Sequence, residues 1–411
     1  MGRGIISART SPKSLSVSRD TACIFWRAGS KIRLAQNPRF HQVQTLGIPT
    51  VQKGKIMSAK LKPGVVWGET YQRLVAACKE GGYALPAVNV IGTNSVNAVL
   101  EAAARNTSDV IIQLSNGGAQ FFGGPGIADA LKAKTLGAVS AAQHVHLLAE
   151  QYGICVILHT DHANKSLIPW VEAMIEHGRD AFRQTGRPLF SSHMLDLSEE
   201  PLAENLAECS RILAQMTPLG MSLEIELGVT GGEEDGVGSD DLSGNHDRLY
   251  THPEDVLRAF DTLRPIGHFS VAASFGNVHG VYAPGNVKLR PEILDASQKL
   301  IEKTRNLRKP VNFVFHGGSG SNKKDIEAAI SYGVFKMNID TDTQFAFAHG
   351  IGEYVAKNPE AFRFQIHPET QKPLKSLYDP RKWLRAGEKS LGARLDEAFR
   401  DLGATGRSLA H

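Results

Sequence analysis

The chain has 411 residues, 42% hydrophobic and 21% charged, an ordinary globular composition that exceeds the ~250 residues of a typical α/β barrel. Its net charge of +4 is uneven, because residues 1–56 hold ten Lys/Arg and one acid, Asp20, leaving 36 basic and 41 acidic residues beyond them. A mildly acidic body argues against a nucleic-acid partner, no apolar run nears the roughly 20 residues that span a bilayer, and four scattered cysteines without a CxxC pair argue against a disulfide framework. A reducing compartment, the cytoplasm, is expected.

Residues 1–56 are rich in Ser and Arg, poor in acids and without a clear helical period. Three readings stay open. The segment suits a mitochondrial transit peptide, a disordered tail, or a start assigned too early, with Met57 as the true one. The working domain is then 57–411.

Along that body, helical and strand patterns alternate. Glu69–Gly81 carries Tyr71, Leu74, Val75 and Cys78 at helical spacing and stops at a Gly pair. Eight short apolar runs follow: Ala84–Val90, Val110–Ser115, Cys155–Asp161, Pro188–Asp196, Leu223–Gly228, Ser270–Gly276, Asn312–Gly318 and Val334–Asp340. Between and after them lie helical stretches at Ser95–Arg105, Leu136–Tyr152, Ile168–His177, Glu199–Thr217, Glu254–Leu263, Pro291–Thr304, Lys323–Tyr332 and Thr341–Ala356. A polar crossing over 359–384 leads to a closing helix at Glu388–Leu402. Short buried strands alternating with helices predict a (β/α)8 TIM barrel. Gly231–Tyr250, rich in Gly and Asp, cannot bury a face and is expected to be a mobile loop over the barrel mouth.

A barrel gathers all its strand ends at one mouth, where chemistry is done. Here those ends carry Asn89, Ser115, Asp161 with His162, Asp196, Glu226, His279, His316, and Asn338 with Asp340. Three histidines from the third, sixth and seventh strands suit a catalytic zinc ion with an open position, and an adjacent carboxylate suits acid/base work. Gly317-Gly-Ser-Gly320 and the helix start at Asp340-Thr341 suit an anion, with Gly280 as a further backbone contact. Asp196, Glu226, Glu233 and Glu234 are acids that could serve as a base or hold a second ion. Lys336 shares its strand face with Asn338, and reads either as a Schiff-base nucleophile or as a charge partner for the carboxylates.

The stretches LPAVNVIGTNSVNAVLE, HTDHANK, LEIELGVTGGEEDG, AASFGNVHGVYAPGNV, FVFHGGSGS, KMNIDTDTQ and YDPRKWLRAG resemble the class II, metal-dependent fructose-bisphosphate aldolases, in their longer homodimeric subgroup. The likeness runs from about Leu61 to the C-terminus, and residues 1–56 have no counterpart in it. The resemblance implies a glycolytic and gluconeogenic lyase that cleaves fructose 1,6-bisphosphate to dihydroxyacetone phosphate and glyceraldehyde 3-phosphate. It implies Zn²⁺ on His162, His279 and His316, with Asp161 as acid/base at the C4 hydroxyl. Glu234 would move the proton at the nucleophilic carbon and Asn338 would steady the enediolate. Gly280, Gly317, Ser319, Asp340 and Thr341 would hold the ketose-side phosphate. Asn89, Ser115 and Arg381 would meet the other, Arg381 arriving from the partner subunit. Asp196, Glu226 and Glu233 match a secondary cation site, and Na⁺ or K⁺ would act as an activator. Alternatives are an aldolase for tagatose bisphosphate, a zinc hydrolase, or a sugar-phosphate binder without activity.

Overall fold

The computed structural model describes residues 60–230, 232–234, 237–239, 250–277, 289–318 and 321–411. The N-terminal extension 1–56 therefore lies outside the described residues. Eight strands form a closed ring: β1 (Leu85–Asn89), β2 (Val110–Leu114), β3 (Cys155–Thr160), β4 (Ser192–Leu195), β5 (Ser222–Leu227), β6 (Phe269–Ala273), β7 (Phe313–Phe315) and β8 (Val334–Asn338). Each pairs in parallel with the next, and β8 pairs with β1 through Met337 and Pro86. This is the expected (β/α)8 barrel. Its strands are buried on both faces, one against the interior and one against helices, which is why they read as continuous apolar runs rather than alternating ones.

The helices are α1 (Gly68–Gly81), α2 (Thr93–Arg105), α3 (Asn116–Gly123), α4 (Ala130–Tyr152), α5 (Ile168–Thr185), α6 (Leu202–Met216), α7 (Pro253–Leu263), α8 (Glu292–Arg305), α9 (Lys323–Ser331), α10 (Thr341–Lys357), α11 (Lys375–Tyr378) and α12 (Pro380–Asp401). Helix α1 stops where Gly82 takes the left-handed conformation, φ +64°, with its N–H on the Cys78 carbonyl. Buried Leu74, Val75 and Cys78 line its inner face.

Several boundaries differ from expectation, and not every helix was anticipated. Helix α4 begins at Ala130, because Asp129 accepts the Lys132 N–H at 3.0 Å and caps a turn the apolar pattern does not show. The closing helix begins at Pro380, eight residues early. Proline suits a first turn, and Asp379 accepts the Arg381 N–H at 3.0 Å. Helix α3 was not anticipated, since three of its eight residues are glycine. It forms against α4, where a Cβ on Gly137 would collide with the Ala119 carbonyl. Tertiary packing overrides propensity there.

A two-residue strand, Gly64–Val65, pairs with the start of β3. The chain end is also tied in. Buried Asp109 accepts from Ser408 Oγ at 2.7 Å, Leu409 N at 2.8 Å and Cys155 N at 2.8 Å. Of the segment expected to be a mobile loop, Gly232–Glu234 pairs antiparallel with Val237–Ser239. The rest, apart from Tyr250, lies outside the described residues.

Candidate active site and metal centre

Asp161 directly follows β3 and is fully buried. Its Oδ2 accepts from Asn89 Nδ2 at 3.1 Å and Gln113 Nε2 at 2.9 Å, and its Oδ1 from Asn338 Nδ2 at 3.1 Å. Those amides arrive from β1, β2 and β8, so closing the ring is what assembles them. Burial pushes the carboxyl up, but His162, Lys336 and His316 outweigh it and hold Asp161 at about 2.

His162 follows with φ +30°, a strained value for a residue with a side chain. That turn aims its Nδ1 at Asp196 Oδ2, 3.1 Å away, and at Glu226 Oε2, 3.6 Å away. His316, just after β7, sets its ring 4.6 Å from that of His162, tilted by 56°. Its Nδ1 lies 3.3 Å from Glu226 Oε2 and its Nε2 lies 2.8 Å from Glu224 Oε1. Burial pushes the His316 imidazole down, yet the Glu224 and Glu226 carboxylates win and hold it up at about 9.

Two donor groups at this mouth can each hold a cation. Asp161, His162 and His316 offer ligand atoms within 4.8 Å of one another, as do His162, Asp196 and Glu226. Imidazole nitrogen with carboxylate oxygen is a donor set that zinc accepts, so the residues present fit such an ion.

Lys336 resolves between its two readings. Its Nζ donates to both Glu224 oxygens at 2.8 Å, the geometry of a charge partner. Glu224 and Gln113 themselves escaped the sequence reading. The signal was there in period two, since Glu224 shares a face with Glu226 and Gln113 with Ser115.

Around the rim, Ser115 caps α3 by accepting the Gly118 N–H at 3.1 Å. Asp340 immediately precedes α10 without a side-chain cap and accepts from Gln344 Nε2 at 2.8 Å, with Thr341 as the first helical residue. Gly317 takes a left-handed φ of +58° directly after His316. A cavity of about 400 Å³ is lined by Asn89, Ser115, Gly118, Asp340, Gln344 and Phe347 among others. Asn89, in this lining, is also one of the amides that donate to Asp161. Arg381 stands apart, its side chain 88% exposed and paired with Asp379 at 2.6 Å. His279, Gly280 and Ser319 lie outside the described residues, and so do the side chains of Glu233 and Glu234.

The family model for fructose-bisphosphate aldolase class-II matches residues 69–407. The chain belongs to the class II fructose-bisphosphate aldolases. A Haemophilus influenzae fructose-bisphosphate aldolase is 54% identical over 348 residues, covering 83% of this chain and 96% of that protein. The class 2 aldolase of Escherichia coli K12 is 52% identical over 350 residues, 84% of this chain and 97% of that protein. The crystal structure of a Campylobacter jejuni fructose-bisphosphate aldolase superposes with a TM-score of 0.77 at 53% identity, covering 85% of this chain and 98% of that one. A class II aldolase is a lyase. Sugar-phosphate substrates fit such an enzyme, and the lining of the cavity includes the polar groups of Asn89, Ser115 and Asp340.

Proposed function

We propose that this aldolase catalyses the zinc-dependent, reversible cleavage of fructose 1,6-bisphosphate to dihydroxyacetone phosphate and glyceraldehyde 3-phosphate, in glycolysis and gluconeogenesis. The observation that carries the reading is the meeting of Asp161, His162 and His316 donor atoms within 4.8 Å at the barrel mouth. His162, His316 and His279 would hold the ion. Zinc there supplies Lewis-acid polarisation of the ketose carbonyl, worth several kcal/mol.

The protein's own groups do the rest. Asp161, kept ionised and aimed by three amides, takes the C4 hydroxyl proton in cleavage and returns it in condensation. A positioned acid/base of this kind contributes roughly 10²–10⁴-fold. Glu234 moves the proton at the carbon that becomes the nucleophile. The Asn338 amide, already directed at the site, steadies the charge that develops on the ketose fragment. Gly280, Gly317, Ser319, Asp340 and Thr341 hold the ketose-side phosphate, Asp340 and Thr341 at the start of α10. Asn89 and Ser115 meet the other phosphate.

Arg381 joins that second phosphate from the partner of a homodimer. Its outward reach supports this, because a side chain 88% exposed is placed to leave its own subunit. Asp196, Glu226 and Glu233 form the secondary cation site, and Na⁺ or K⁺ serves as activator. The working domain is 57–411, preceded by the basic extension, and the protein acts in the cytoplasm.

The deciding experiment is product analysis with fructose 1,6-bisphosphate and its C4 epimer, tagatose 1,6-bisphosphate, side by side. A kcat/KM at least tenfold higher for fructose bisphosphate, with equimolar triose phosphates released, is expected. Preference for the epimer overturns the substrate assignment, and release of inorganic phosphate instead of trioses overturns the reaction.

A further inference from the structure

Below the donor groups lies a buried charge cluster that none of these steps uses. Glu224 is on β5 and Lys336 on β8, strands that are not neighbours in the ring, so the two meet across the barrel interior. Both side chains are 2% exposed. Lys336 Nζ bonds both Glu224 oxygens, Oε1 also faces His316 Nε2 at 2.8 Å, and Oε2 lies 3.5 Å from His159 Nε2. His159 Nδ1 in turn lies 2.8 Å from Ser192 Oγ. Burying an ion pair this deeply gains little stability over apolar side chains of the same volume, so its use must be sought in what it touches.

What it touches is His316. A carboxylate only accepts hydrogen bonds, so Nε2 of His316 must carry the hydrogen. In the neutral ring the lone pair then sits on Nδ1. That atom faces Glu226 and the His162 ring, the side on which the cation-holding groups gather. Glu224 could itself compete for a cation, because His159, Asp161 and Glu224 form a third group with donor atoms within 4.8 Å. The Lys336 ammonium already engages both Glu224 oxygens and stands in for a cation there.

We infer that Glu224, clamped by Lys336, is a positioning residue that fixes the His316 tautomer and confines the metal to the upper donor groups. The inference rests on the proposed role of His316 as a zinc ligand. Such carboxylate–histidine–metal relays tune affinity by 10–100-fold.

The test uses the full chain and measures the zinc dissociation constant by competition with a chromogenic chelator, with circular dichroism as the folding control. The apolar pair Glu224→Leu with Lys336→Met is expected to bind zinc 10–100-fold more weakly. Glu224→Gln with Lys336→Met keeps an acceptor oxygen for Nε2 and is expected to recover most of that loss. Wild-type affinity in the folded apolar pair overturns the inference and leaves the zinc reading intact. Failure of the wild-type protein to bind zinc overturns both. Nitrogen shifts of labelled histidine in the zinc-loaded wild type give a readout that needs no altered core. A His316 ring protonated on Nε2 supports the inference, and one protonated on Nδ1 overturns it.

Discussion

Replacing Asp161 by asparagine separates its chemistry from its packing. Three amide hydrogens converge on this carboxylate, two on Oδ2 and one on Oδ1. An asparagine oxygen in the Oδ2 position keeps the bonds from Asn89 and Gln113. Its new NH2 would then face the NH2 of Asn338. Asn338 Oδ1, however, is buried with no partner among the described residues, so rotating that amide by half a turn turns the clash into a hydrogen bond. The flip carries the Asn338 NH2 to the side its oxygen held, so the cost is confined to one buried donor, about 1–3 kcal/mol. Fold and bound zinc should therefore survive, with a thermal midpoint within a few degrees of wild type. Turnover should not. Asparagine cannot take the C4 hydroxyl proton, and kcat for fructose 1,6-bisphosphate cleavage should fall by about 10²–10⁴-fold, or roughly 2.7–5.4 kcal/mol in the barrier. The assay is steady-state cleavage coupled to triose phosphate detection, with zinc content and melting measured on the same samples. A folded, zinc-loaded Asp161→Asn enzyme with kcat within threefold of wild type would refute the acid/base assignment.

Other consequences can be checked separately. Because His316 is held at about 9, zinc must displace its Nδ1 proton at neutral pH. Apparent affinity should rise by about tenfold per pH unit until about 9 and then level off, as chelator competition would show; a flat profile contradicts it. Before zinc is added, the same raised pKa favours the folded state fully below the unfolded value of about 6.5, and that support fades as pH climbs through about 9. Mixing Arg381→Ala with Asp161→Ala subunits should restore part of the activity if Arg381 serves the partner's site, and confirmed heterodimers without recovery count against it. Gly137→Ala drives a methyl into the Ala119 carbonyl of α3, so its melting temperature should fall by several degrees, for about 1–3 kcal/mol of overpacking. An unchanged midpoint would mean α3 shifts without cost.

The barrel was legible because its strands are short, apolar and bounded by polar residues, which only a sheet covered on both faces requires. Its mouth was legible for the same reason, since each strand announces its own end. Asp161 with His162 stood at one such end and His316 at another, and the ring brings their donor atoms together. What stayed hidden depends on distance along the chain. Glu224 looks like an ordinary strand residue until Lys336, 112 positions away, arrives across the barrel. Gln113 gains its meaning only from Asn89 and Asp161 on the flanking strands. Helix α3 is poor in helix formers and exists because the glycines of α3 and α4 let two backbones approach. Helix α12 hid its first turns because Pro380 reads as a breaker unless Asp379 is recognised as the cap before it.

The central claim is that a metal held at this mouth drives aldol cleavage. Fructose 1,6-bisphosphate cleavage by the purified protein, measured before and after EDTA and again with zinc restored, tests it most directly. Loss with EDTA and recovery with zinc is the predicted result. Activity that survives EDTA and is trapped by borohydride would contradict it and return the chemistry to Lys336.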